Sequence, residues 1–181
     1  MTQLRSMDIR PARPGDGDVL HSLLSAYLAE QFPGHIGSSA TVLEHDVLSS
    51  ASGLRVLLAH VQRKPAGFVA WHRVYDMHWA KGGAQVADLY VVPAHRGLGV
   101  ALALVAAVCA STLREGGAYL QGGAFDRASA VGRFYERIAV AFDSAECHCA
   151  GRAFRQLAEL DGQSPRAIVR GLPPKAWNYE P

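Results

Sequence analysis

The stretch Pro93-Ala94-His95-Arg96-Gly97-Leu98-Gly99-Val100-Ala101 joins two apolar segments and decides the fold. The segment before it, residues 86–92, is predicted to be a buried strand, and the segment after it, residues 98–113, a buried helix. A strand, a glycine-rich turn and a helix present unpaired backbone N–H groups at the helix start. The helix dipole adds about half a positive charge there. The sequence therefore predicts a phosphate site in this loop, with Arg96 as an additional charge.

Composition limits the class of protein. The 181 residues fit one domain, and 49% hydrophobic residues suffice for a full core. The net charge of +2 includes no basic block, so neither nucleic acid nor a membrane surface is expected as a partner. No apolar run reaches the length of a membrane-spanning helix, and the polar segment Met1 to Arg13 lacks the apolar region of a secretory signal. We therefore expect a cytoplasmic protein.

Three cysteines, Cys109, Cys147 and Cys149, agree with a reducing compartment. The run Cys147-His148-Cys149 does not have the spacing of zinc-binding cysteine pairs, and no second pair exists. On a strand the two cysteines would simply share one face. We expect no metal.

The rest of the chain alternates helical and strand patterns. Asp16 or Asp18 is predicted to cap the first helix, and Thr41 with Glu44 the second. Gly67 is predicted to mark a bulge, and residues 75–83 an aromatic loop. In chain order we predict strand 9–11, helix 19–28, helix 41–50, strands 54–61, 65–74 and 86–92, helix 98–113, strand 118–121, helix 131–138, strands 140–142 and 146–149, and helix 153–160. This order indicates an α/β layer fold with one central sheet.

The loop resembles a known family once its spacing is considered. A Rossmann fingerprint needs a third glycine and a Walker loop needs Gly-Lys-Ser/Thr, and neither is present. Arg-x-x-Gly-x-Ala after Val-Val-Pro is similar to the pyrophosphate loop of the GNAT superfamily of N-acetyltransferases, Gln/Arg-x-x-Gly-x-Gly/Ala. The resemblance implies a mixed, mostly antiparallel sheet that is splayed into a V and flanked by helices, within a domain of residues 1–160. It implies acetyl-CoA as co-substrate, bound by Leu89, Tyr90, Val91, Arg96, Gly97, Leu98, Gly99, Val100, Ala101 and Tyr135.

A second motif, Arg133-Phe134-Tyr135-Glu136-Arg137, resembles the family's Phe-Tyr pair on the helix after the fifth strand. The tyrosine of that pair faces the thioester sulfur, so the resemblance implies a catalytic role for Tyr135. The family usually has Asn-x-x-Ala before this pair, whereas this chain has Ala128 and Val131 at the two positions. An asparagine contact to CoA is therefore not expected.

Within the superfamily, Asp88-Leu89-Tyr90-Val91, the segment 75–79 and the segment 151–158 resemble the diamine (spermidine/spermine-like) branch. The resemblance implies acetylation of a primary amine, of a small molecule, with Asp88 in the catalytic site. That branch has a glutamate where this chain has Ala87, which weakens the case for a polyamine. Three alternatives remain: acetylation of protein or peptide amines, acyl-CoA binding without catalysis, and an interaction protein whose loop binds another phosphate ligand.

The implied reaction is direct attack of a neutral amine on the thioester. The base that takes the amine's proton is left open among Asp88, His72, His78 and Glu30. A backbone N–H near Val91 is expected to stabilise the oxyanion. Tyr135 is expected to act as general acid to the leaving CoA thiolate, by supplying a hydrogen bond or a proton. We also expect a homodimer and a tail, residues 161–181, that packs on its own domain or on the partner subunit.

Overall fold

The computed structural model describes residues 7–49, 52–123 and 128–138. The strands are β1 (Met7–Pro11), β2 (Arg55–Val61), β3 (Lys64–Asp76), β4 (Lys81–Val91) and β5 (Tyr119–Gln121). The helices are α1 (Gly17–Gln31), α2 (Ala40–Val42), α3 (Val100–Arg114) and α4 (Ala130–Glu136), with a π-helical segment Leu43–Leu48 after α2 and a 3₁₀ turn Pro93–His95 before α3. The strands predicted at 140–142 and 146–149, the helix at 153–160 and the tail at 161–181 lie outside the described residues.

One five-stranded sheet has the order β1-β2-β3-β4-β5. Neighbouring strands from β1 to β4 are antiparallel, and β5 is parallel to β4. The prediction of a mixed, mostly antiparallel sheet is confirmed. Only residues 83–85 of β4 pair with β5, although β4 continues to Val91. Beyond residue 85 this edge of β4 therefore has no partner among the described strands, which leaves a gap between β4 and β5.

Helices cover both faces of the sheet. On one face α3 buries Val100, Leu104 and Val108 against the sheet residues Leu57, Val69, Trp71 and Val86. On the other face α1 and the π-helical segment bury Leu20, Leu23 and Leu43 against Leu58, Phe68, Ala70 and Tyr90. Strands buried on both faces are apolar at consecutive positions, which explains the run of buried apolar residues at 56–59 in β2. No helix among the described residues is long and apolar enough to cross a membrane.

A bulge in β4 changes which side chains face α1. Ala70 pairs with Asp88, whereas Trp71 pairs with Val86, so Ala87 is an extra residue without an opposite partner. Residues 86, 88 and 90 would share one face of a regular strand. Because of the bulge, Val86 packs against α3, whereas Tyr90 packs on the α1 face. Asp88, two residues before Tyr90, lies on that same α1 face.

Two predictions about the central strands need correction. The segment 75–83 is not a loop, because β3 and β4 form a hairpin in which only residues 77–80 make the turn. The bulge expected at Gly67 involves Ala66 instead, since Ala59 pairs with Gly67 and His60 with Pro65. Gly67 is required for close packing: a Cβ there would lie 2.4 Å from the carbonyl oxygen of Tyr90.

The helix caps also differ from the predicted ones. Asp16 is the N-cap residue of α1, but its carboxylate binds the Arg10 guanidinium through two 2.7 Å hydrogen bonds. Glu44 accepts from the backbone N–H groups of Gly15 at 2.6 Å and Gly17 at 3.0 Å, so it caps α1. Ser39, not Thr41, caps α2. A carboxylate from the π-helical segment therefore satisfies donors at the start of α1.

Candidate active site

The loop between β4 and α3 has the conformation that the glycines allow. Gly97 has φ +73° and Gly99 φ +84°, both in the left-handed region that favours glycine. Helical hydrogen bonding begins with the N–H of Ala103 donating to the carbonyl of Gly99, so the N–H groups of residues 100–102 have no partner within the helix. A Cβ on Gly97 or Gly99 would meet no atom within 4 Å. The loop thus offers unpaired donors beside open space, as an anion requires.

The last residue of β4 directs its peptide groups into the gap next to β5. The N–H of Val92 donates to the carbonyl of Ala66, and Gly67 lies opposite Val91. In an antiparallel ladder this makes Gly67 and Val91 a pair without mutual hydrogen bonds, so the N–H and C=O of Val91 face away from β3. They lie along the edge of β4 next to β5, and this edge is unpaired beyond residue 85. The N–H of Val91 is therefore the kind of donor that an oxyanion site needs.

Tyr135 is buried, with 9% of its surface exposed. It lies on α4, whose first turn is capped by the Ser129 hydroxyl accepting from the N–H of Gly132. Its hydroxyl packs over Gly122, just after β5, where a Cβ would come within 2.8 Å of the oxygen. Burial and, to a smaller extent, the nearby Tyr27 raise the pKa of Tyr135 to about 12. The hydroxyl is therefore protonated at neutral pH and available as a hydrogen-bond donor.

Asp88 is partly buried on the α1 face, and burial raises the pKa of its carboxyl group. The nearby Tyr27 hydroxyl group opposes this effect in part by lowering the pKa of Asp88. The ring of Tyr27 lies 5.8 Å from that of Tyr90 and 6.4 Å from that of Phe68. Tyr27 is thus the α1 residue that connects Asp88, Tyr90 and Tyr135. Its helical spacing from Leu20 and Leu23 in the sequence places Tyr27 on the buried face of α1, and its polar hydroxyl is the sequence signal of a further role.

The side chain of Arg96 points toward α1. Its Nε donates to the carbonyl of Val91 at 2.8 Å, and its Nη2 donates to Glu30 at 2.6 Å. The guanidinium carbon lies 5.6 Å from the centre of the Tyr90 ring. Leu89 and Tyr90 flank this region on opposite faces of β4, and Leu98 is exposed in the loop.

The four candidate bases lie at different distances from the end of β4. Gly67 on β3 lies opposite Val91, whereas Asp76 lies at the far end of β3 opposite Lys81. These two β3 positions are about 30 Å apart at 3.3 Å per residue. His78 follows Asp76 in the turn, so it and the aromatic segment 75–79 lie at the far end of the hairpin from the cofactor loop.

His72 lies between those two ends, opposite Gln85 and about 16 Å along β3 from Gly67. Asp88 is opposite Ala70, nearer the cofactor loop, and Glu30 contacts the loop through Arg96. Within the described ranges no three His, Cys, Asp or Glu side chains gather as a metal site would require. Cys147 and Cys149 lie outside those ranges.

Comparison with known proteins agrees with this arrangement. Residues 52–138 match the family model of the acetyltransferase (GNAT) domain. No curated protein matches the chain significantly by sequence. A solved ribosomal-protein-alanine N-acetyltransferase from Brucella melitensis biovar Abortus 2308 is 26% identical, with a TM-score of 0.66 over 80% of this chain and 98% of that chain.

Two more distant structures share the fold. An integron cassette protein from the mobile metagenome of V. cholerae is 22% identical, with a TM-score of 0.75 over 85% of this chain and 98% of that one. An aminoglycoside acetyltransferase from an uncultured soil metagenomic sample was solved in complex with sisomicin. It is 15% identical, with a TM-score of 0.66 over 79% of this chain and 93% of that chain. The matched segment runs from just before β2 to the end of α4 and includes the loop, Asp88 and Tyr135. The described chain has the GNAT fold, and the family model with these structural neighbours supports a GNAT acetyltransferase domain in this protein.

Proposed function

We propose that this protein transfers the acetyl group of acetyl-CoA to a primary amine of a small molecule. The observation that carries the proposal is the loop of residues 96–101, with two left-handed glycines and free N–H groups at the start of α3. Those N–H groups suit the pyrophosphate of CoA. The unpaired edge of β4 at Leu89 suits an amide of the pantetheine arm, because the peptide groups of this edge have no strand partner beyond residue 85.

In the proposed reaction the neutral amine attacks the thioester carbon, the C–N bond forms and the C–S bond then breaks. The N–H of Val91 donates to the oxyanion. Asp88 accepts the proton that the amine loses, directly or through water. Burial raises the pKa of this carboxyl group, which makes it a stronger base than an ordinary aspartate. Glu30 is less suited, because its carboxylate already pairs with Arg96.

Tyr135 then stabilises the CoA thiolate by donating a hydrogen bond. Its pKa of about 12 lies about 3.5 pKa units above that of an ordinary thiol. Complete transfer of the phenolic proton to the thiolate would therefore be uphill by roughly 5 kcal/mol. A hydrogen bond carries no such cost, and a thiolate of ordinary pKa is already a fair leaving group. We therefore infer that Tyr135 assists departure of the thiolate without giving up its proton.

The α1 face of β4 is the proposed acceptor site. It combines the Asp88 carboxylate with the partly exposed ring of Tyr27, and both kinds of group attract an ammonium ion. We propose that the acceptor is a compact cationic amine. The aminoglycoside acetyltransferase among the structural neighbours acts on a substrate class of this kind. The diamine branch remains a hypothesis, and Ala87 in place of a carboxylate argues against long polyamines.

A second candidate is acetylation of a protein or peptide amine, which the similarity to a ribosomal-protein-alanine N-acetyltransferase favours.

An assay of a panel of amines with acetyl-CoA, in which the release of free thiol is measured, distinguishes the candidates. We expect turnover with small cationic amines and little with spermidine or spermine. Turnover only with peptides that carry a free N-terminus would favour the second candidate. Tight acetyl-CoA binding without turnover on any amine would indicate a regulatory protein.

The cofactor site has its own test in Gly99→Leu. A side chain at residue 99 meets open space in the protein, but it requires the left-handed conformation and fills the space where a pyrophosphate would lie. We expect the variant to fold and to lose acetyl-CoA binding in calorimetry. The matched control is Gly53→Leu, at another glycine with positive φ and open surroundings far from the loop in sequence. Unchanged acetyl-CoA affinity in Gly99→Leu would contradict the assignment of the loop.

A further inference from the structure

We infer that Arg96 is a positioning residue that holds the cofactor loop and the end of β4 against α1 through Glu30, and that its guanidinium is not a ligand of the CoA phosphates. The inference rests on the proposed function, because it concerns how the acetyl-CoA site is held in shape. It departs from the expectation, drawn from the loop motif, that Arg96 adds its charge to the pyrophosphate site.

The guanidinium is occupied on three sides. Nε donates to the carbonyl of Val91 at 2.8 Å, and Nη2 donates to the Glu30 carboxylate at 2.6 Å. The guanidinium carbon lies over the Tyr90 ring, 5.6 Å from its centre. Tyr90 belongs to the core on the α1 face of the sheet, whereas Val100, the first residue of α3, packs in the core on the opposite face. The charge of Arg96 is thus directed to the other side of the sheet from the helix start where a phosphate would bind.

The contact with Val91 connects Arg96 to the proposed chemistry. The carbonyl of Val91 faces the unpaired edge of β4, where no described strand supplies a donor. Arg96 supplies that donor and so fixes the orientation of the last residue of β4. The N–H of the same residue is the proposed oxyanion donor. Arg96 therefore orients the strand end where the thioester would lie, and Glu30, on the last turn of α1, holds Arg96 in place.

The two roles predict opposite effects of removing Glu30. If Arg96 were a phosphate ligand, Glu30 would compete with the phosphates, and Glu30→Gln would tighten CoA binding. If Arg96 is a positioning residue, Glu30→Gln disturbs the loop and weakens CoA binding, even though a negative charge has been removed near an anionic ligand. The sign of the change in affinity therefore separates the two roles.

The experiment measures the dissociation constant of acetyl-CoA by calorimetry, and kcat and KM with an accepted amine, for the full chain and its variants. We expect Glu30→Gln and Arg96→Gln each to raise the dissociation constant about fivefold, the effect of losing a partly exposed ion pair. Because both break the same contact, the double variant should be no worse than either single one. Arg96→Lys should behave like Arg96→Gln, since a lysine cannot bind Val91 and Glu30 together. We also expect kcat to fall in all four variants.

Glu115→Gln is the matched control, because Glu115 pairs with Arg55 and Arg73 and is exposed to a similar degree as Glu30. It should leave acetyl-CoA affinity unchanged. Tighter or unchanged binding in Glu30→Gln, or wild-type affinity in Arg96→Lys, would overturn the inference while leaving the proposed function intact. Failure of the wild-type protein to bind acetyl-CoA would instead overturn the proposed function and this inference with it.

Discussion

At the scale of single residues, the environment of Tyr135 determines what its hydroxyl group can do. Burial keeps it protonated, so its use in the proposed mechanism is to donate a hydrogen bond to a thiolate that exists only late in the reaction. We predict that Tyr135→Phe lowers kcat by about a hundredfold with little change in KM for acetyl-CoA. Steady-state kinetics check this, with the exposed Tyr75→Phe as the control. A wild-type kcat would restrict Tyr135 to a packing role.

Burial also favours the protonated form of Asp88. Because burial raises the pKa of its carboxyl group in the folded state, its ionised form makes the fold less stable above that raised pKa. We predict that Asp88→Asn raises the thermal midpoint by a few degrees at pH 7 while greatly lowering kcat/KM. The stabilisation should shrink as the pH falls through the raised pKa of the folded state. It should vanish below the pKa of Asp88 in the unfolded chain, which is about 3.9. Thermal denaturation across this pH range tests the sign, and a variant less stable than wild type at pH 7 would contradict it.

At the scale of secondary-structure elements, α1 depends on a residue from the π-helical segment. Glu44 accepts hydrogen bonds from the N–H groups of Gly15 and Gly17, whereas Asp16 is bound to Arg10. We predict that Glu44→Ala lowers the free energy of unfolding by about 1–2 kcal/mol, since charged caps are strong ones. Asp18→Ala, in the exposed first turn, should cost less. Urea denaturation of both variants tests which one loses more free energy of unfolding. An equal or larger loss in Asp18→Ala would disprove the assignment of Glu44 as the cap.

At the scale of the whole molecule, we predict a two-fold dimer that uses the tail of residues 161–181, which lies outside the described residues. Leu172, Trp177 and Tyr179 are large apolar or aromatic side chains in that tail, and soluble proteins rarely leave such groups in water. Light scattering of the full chain and of a chain lacking residues 163–181 tests this. A dimer that survives the deletion would exclude the tail from the interface, and a monomeric full chain would refute the dimer.

The sequence by itself determined the features that depend on neighbouring residues. Glycines that permit left-handed φ, an apolar strand before them and an apolar helix after them specify the loop at residues 96–101, because both the periodicity and the conformational freedom are local. The same reasoning predicted the order of the described strands and helices and one central sheet. The family resemblance, and not the spacing of residues, implied that the sheet is mixed and mostly antiparallel and singled out Asp88 and Tyr135.

Only the tertiary structure decided which distant groups meet. Arg96 and Glu30 are 66 positions apart in the chain, and Gly15 and Glu44 are 29 apart. No periodicity in the sequence connects such pairs, since their contact depends on how α1 packs on the sheet. The bulge at Ala87 likewise follows from the pairing of β4 with β3, and it turns Asp88 toward α1. A charged side chain binds whichever partner packing brings within reach, so the role of Arg96 is decided by the fold.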